Sequence, residues 1–146
     1  WQKVTVSAEN ELVEKKTSLE YAVVDSPELK ISTKYPEIVT FGQPVAIEVI
    51  LNKESFQEPK DLKVTISGAG IKKIWDLNSL IQEEKINYVV DGKSLSWNTD
   101  FIITAAWADQ QGKAYSNEEK ITIKSKADSF IDKMKMLSNV LINLFS

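Results

Sequence analysis

The chain has 146 residues and a mass of 16.5 kDa, enough for one well-buried domain. Its 18 positive charges are all Lys, with no Arg, His or Cys, and stand against 21 Asp and Glu for a net charge of −3. These zeros exclude a Ser-His-Asp triad, a Cys nucleophile, a zinc site of the N/S kind and any bidentate guanidinium fork, and without a Lys stripe interleaved with aromatics nucleic acid is excluded as a partner.

Residues 1–26 read as a hairpin, with strands over 1–7 and 18–24 joined by the charged segment 9–16. Two origins fit it. Ala8-Glu9 recurs 100 positions later as Ala108-Asp109, and Ser26 precedes Ser125 by 99, as in a remnant of an upstream repeat. The alternative is that these strands extend the sheets of one larger sandwich. A start at Trp1 without Met suggests a processed or trimmed product, and any signal peptide or anchor would then be expected outside this sequence. The absence of Cys suits the cytosol and a surface protein equally. No apolar run is long enough to span a bilayer.

From residue 27 onward the pattern has period two, broken at regular intervals by turn residues. Strands are expected over 28–34, 37–41, 44–52, 61–67, 71–76, 84–91, 100–109 and 114–124, with a helical period suspected only around 75–81. Pro27 and Pro36 mark edge-strand entries, since neither can donate to a ladder. Asp91-Gly92 suggests a tight hairpin with positive φ. In-phase apolar positions give an inter-sheet core of Val45, Ile47, Val49, Leu62, Val64, Ile66, Ile103, Trp107, Ile121 and Ile123. The fold expected over 27–125 is therefore an all-β, immunoglobulin-like antiparallel β-sandwich.

After Ser125 the period becomes helical, and residues 126–146 form a C-terminal amphipathic α-helix. Ser125-Lys126-Ala127-Asp128 has the form of a capping box. Phe130, Met134, Leu137, Leu141, Leu144 and Phe145 fall within one arc, a candidate partner-binding face, with Asp128, Asp132, Lys135, Asn139 and Asn143 opposite. A helix this apolar is expected to bury that face on its own domain, on another chain or on a membrane; three Lys against two Asp over 126–146 favour protein over lipid.

No catalytic residue, cofactor site or metal site is expected. Asp91, Asp100 and Asp109 could in principle pair as glycosidase carboxylates, but each sits at a strand end where Asp serves turns. The segment 109–112 is too short and poor in acids for a calcium loop, and Gly68 with Gly70 reads as a turn rather than a phosphate cradle. Trp75 and Trp97, near loops, are the candidates for stacking on sugar rings. A covalent Lys–Asn cross-link between first and last strands would use Lys30 or Lys34 with Asn117, and needs an acid on the core face.

The run from Phe41-Gly42-Gln43-Pro44 through Leu51-Asn52, and the segment from Thr104-Ala105-Ala106-Trp107-Ala108-Asp109 through Gly112 to Ser116-Asn117-Glu118, resemble the opening strand and closing hairpin of cell-adhesion-related repeats. Such repeats occur in bacterial and archaeal cell-surface and S-layer-associated proteins. The sequence departs from them in lacking the paired Asn that often follows the final Glu, and in carrying a terminal helix. The resemblance, over about residues 36–124, implies a non-catalytic, extracellular or cell-surface module acting as spacer, adhesin or assembly subunit. Its expected partner is protein, by self-association or through neighbouring domains. The alternatives are a carbohydrate-binding domain attached to an enzyme, with polysaccharide as ligand, and a helix-anchored protein on a membrane surface.

Overall fold

Alternating β-branched and polar residues produce strands with one apolar face, and two such faces closed on each other make this fold. The structure, a computed structural model, describes residues 2–9, 14–21 and 26–144, the first two segments and 143–144 by their backbone alone. In chain order the strands are β1 (Gln2–Glu9), β2 (Glu14–Tyr21), β3 (Leu29–Lys34), β4 (Ile38–Thr40), β5 (Val45–Lys53), β6 (Lys60–Gly68), β7 (Ile71–Leu77), β8 (Glu83–Val90), β9 (Asn98–Ala108) and β10 (Ala114–Lys126), followed by helix α1 (Phe130–Leu144). A three-stranded sheet ordered β3-β5-β8 faces a five-stranded sheet ordered β4-β10-β9-β6-β7, giving an immunoglobulin-like sandwich with a C-terminal helix. β1 and β2 pair antiparallel in a two-stranded sheet of their own.

All ten core positions expected from the alternation are buried. Ile47, Val49 and Leu51 from one sheet meet Val64, Ile66, Phe101, Ile103 and Ile123 from the other, each with 0 % exposure. Burying side chains of this size stabilises the fold by ~1.5 to 3 kcal/mol apiece. Trp107, also in the core, donates its indole N–H to the carbonyl of Pro27 at 2.9 Å and ties β9 to the entry of β3. Pro27 and Pro36 stand just before β3 and β4, both edge strands, as their missing donors require.

Three local expectations are corrected. Asp91-Gly92 is not a hairpin: β8 and β9 belong to different sheets, so the chain between them must cross over, and Gly92 instead opens a short 3₁₀ turn, Gly92–Ser94, with Asp91 Oδ1 accepting from the N–H of Lys93 at 2.9 Å. Glycine is required there because a Cβ would collide with the Gln43 carbonyl oxygen, not because of positive φ. The segment 75–81 contains no helical turn, since Trp75 lies in β7. The helix also starts later than its apparent capping box: β10 runs on to Lys126, held by a parallel pairing with β4, and Ser125 spends its N–H on the Trp97 carbonyl at 3.0 Å. The functioning cap is Ser129, whose Oγ accepts from Asp132 N–H at 3.0 Å and donates to Asp132 Oδ2 at 2.7 Å. That β4–β10 pair is the one parallel ladder among the described strands.

Candidate functional site

Asp100 and Asp109 do not converge, and Asp91 serves the 3₁₀ turn. Asp100 is near the start of β9 and Asp109 just beyond its end; nine residues of extended strand separate them by roughly 30 Å, far beyond the 5 to 10 Å of a glycosidase pair. Asp109 builds the β9–β10 turn: Oδ1 accepts from the N–H groups of Gln111 at 2.8 Å and Lys113 at 2.9 Å, and Oδ2 from the Tyr115 hydroxyl at 3.1 Å. The Lys113 N–H above all, then the Gln111 N–H, the Tyr115 hydroxyl and the Lys113 charge hold its carboxyl below the usual range, against burial. Asp100 is lowered first by Lys120, whose Nζ lies 2.7 Å away, and then by the Thr122 hydroxyl at 2.7 Å. Among the described residues no group of three or more acidic side chains is placed to hold a metal ion.

Core-facing positions of β3 are Leu29, Ile31 and Thr33, which leaves Lys30 and Lys34 on the outer face. Lys34 pairs there with Glu48 at 3.3 Å, while Asn117 gives its amide to the Leu29 carbonyl at 3.1 Å. The inward acid that a cross-link would need does exist: Glu119, in phase with Ile121 and Ile123, accepts from Thr33 Oγ1 at 2.6 Å. No Lys shares its face of β3, so no amide bond can form there.

Trp75 is half-buried, its ring edge-on to Tyr88 of the opposite sheet at 5.6 Å and 76°, so it helps close the sandwich between β7 and β8. Trp97 lies just before β9 and is 40 % exposed, which leaves it the freer of the two as a stacking surface. A cleft of about 740 Å³, open to solvent, is bounded by Gly68, Lys72, Asn98, Thr99, Asp100 and Val140. Three of its polar groups are engaged within the domain: Asp100 as above, the Asn98 backbone carbonyl by the Ser96 hydroxyl at 2.9 Å and Thr99 Oγ1 by the Ser96 N–H at 2.9 Å.

The helix carries the least expected geometry. It docks through Met136, fully buried, and through Asn139, whose Nδ2 donates to the carbonyls of Lys93 and Leu95, both at 2.8 Å. Those carbonyls end the 3₁₀ turn, so the polar Asn side chain satisfies backbone that would otherwise lie against the helix unpaired. Asn139, which the sequence puts opposite the apolar arc, therefore belongs to the docked face. The apolar arc points away from the sandwich: Phe130 is 76 % exposed, Met134 51 %, Leu137 43 % and Leu141 52 %. The side chain of Leu144, and Phe145 altogether, lie outside the described residues. Helical periodicity reveals an apolar arc but not which face meets the domain, and a polar side chain capping two carbonyls leaves no periodic trace.

No known protein family matches the sequence, and neither does any curated protein. Solved structures do. The chain is similar to the crystal structure of the CARDB domain of the PF1109 protein from Pyrococcus furiosus, in complex with di-metal ions, with a TM-score of 0.54 and 15% identity over 73% of this chain and 95% of that one. The solution NMR structure of the CARDB domain of PF1109 matches with a TM-score of 0.56 and 15% identity over 70% of this chain and 97% of the other. At this identity the likeness is one of fold alone.

Proposed function

We propose that this chain is a non-catalytic module of a cell-surface protein, working through protein contacts as a spacer, adhesin or assembly unit. The observation that carries the reading is the pairing of an adhesion-domain fold with an apolar helix face turned outward, since large exposed apolar residues gathered on one face are a feature of interaction surfaces. Separated carboxylates that each serve a turn or an ion pair support the non-catalytic part. Among the described residues no cluster of acids gives a reason to carry the di-metal chemistry of the Pyrococcus domain over to this chain.

Location is the part most directly tested. An antibody raised against the purified chain should label intact cells that produce it, and protease added to those cells should remove the label. Labelling that appears only after lysis would overturn the surface assignment.

A further inference from the structure

We infer that α1 is a self-association surface, and that its occupant is the α1 helix of a second copy of this chain, running antiparallel. The inference rests on the proposed reading of a module that works through protein contacts, and it names the partner.

Three observations converge on a second copy. The exposed seam Phe130, Met134, Leu137 and Leu141 has spacings of 4, 3 and 4, a palindromic series. Reversing the helix reproduces it, so a twofold axis between Met134 and Leu137 sets Phe130 against Leu141 of the copy and Met134 against Leu137, both pairs twice over. Such self-complementarity is what an isologous interface demands. A membrane makes no use of it.

The area is also of the right order. At ~150 to 200 Å² for a fully exposed large side chain, the exposures of Phe130, Ile131, Met134, Leu137 and Leu141 amount to roughly 500 Å² per copy. A pair would remove at most about 1,000 Å² from water, at the lower bound for a specific interface.

The third observation concerns cost and access. A free helix of 15 residues is marginal in water, but α1 is already formed, capped by Ser129 and fastened by Met136 and Asn139. At 100° per residue the docked face lies about 150° around the helix from the seam, so the sandwich stands behind the helix and does not obstruct a second copy. Antiparallel alignment sets opposite ends of the two helix dipoles together. It also keeps Asp132 and Lys133 of one copy beside the uncharged half, 136–142, of the other.

Sedimentation equilibrium on the whole chain should show a monomer–dimer equilibrium. Leu137→Glu removes two Leu contacts per dimer and should weaken it by ~100-fold or more. Because Leu137 points away from the sandwich, the unfolding midpoint of the monomer should not change; Leu141→Glu, at a second seam position, should act in the same way. The chain has no Cys, so single-Cys variants report orientation cleanly. Under mild oxidation Phe130→Cys mixed with Leu141→Cys should cross-link as a heteropair, and neither alone. A monomer at every concentration would overturn the pairing while leaving the surface-module reading to its own test. So would a dimer unaffected by both Glu variants, cross-linking of Phe130→Cys to itself, or vesicle binding by a monomer that Leu137→Glu abolishes.

Discussion

Asp109 shows how a single carboxylate can hold a turn closed. It is 5 % exposed, yet its two oxygens receive three hydrogen bonds that close the β9–β10 turn. These donors favour the charged form, so the folded-state pKa lies below the ordinary value of 3.8. The stability gained is fully present above the unfolded pKa and is lost as pH falls through the lower folded one, so the loss begins near 3.8 and continues below it. Asp109→Ala should lower the denaturation midpoint at neutral pH, and the gap between it and the parent chain should narrow on acidification below about pH 4. A gap that is absent at neutral pH, or that widens in acid, would contradict the assignment. The turn role of Asp109 was legible from its place at a strand end before Gly112. Gly92 was not legible for the right reason: a dipeptide that favours a hairpin announces flexibility, whereas the structure uses its missing Cβ for close approach to Gln43, a contact 49 positions away in sequence.

Strand phase is the level at which the amino-acid pattern carried most information, because each strand packs one face on a core and a one-residue slip would expose every apolar side chain at once. That is why Ile47, Val64 and Ile123 could be placed inward from alternation alone. The terminal helix shows the limit of the same logic. Its apolar arc can be read from the residues, but the face that meets the domain is fixed by two carbonyls at the end of a 3₁₀ turn and by one Met, all determined by tertiary structure. Met136→Ala should therefore destabilise the chain by ~2 to 5 kcal/mol, as deletion of a fully buried Met side chain does, whereas Met134→Ala, half exposed on the other face, should cost little in the monomer. Urea midpoints measured at low protein concentration separate the two. Equal effects would mean that the helix does not dock as described.

At the scale of the whole molecule, β1 and β2 are not strands of either sandwich sheet. β3 is an edge of the three-stranded sheet, with β5 as its ladder partner, and the Trp107 indole ties the start of the domain down at Pro27. The hairpin of β1 and β2 satisfies its own ladder and is hydrogen-bonded to neither sandwich sheet among the described residues. A two-stranded sheet is marginal in water on its own, so in a repeat protein such a hairpin would belong to the preceding unit, as the 100-residue offset between Ala8-Glu9 and Ala108-Asp109 implies. Its removal should then cost the sandwich nothing: a chain beginning at Pro27 should fold, retain the midpoint and denaturant slope of the full chain, and keep Trp107 buried to fluorescence quenchers. The extended-sandwich alternative requires the opposite, because losing a ladder and its apolar burial would lower both midpoint and slope. A truncated chain that fails to fold, or whose slope falls with its midpoint, would assign residues 1–26 to this domain and remove the case for a repeat.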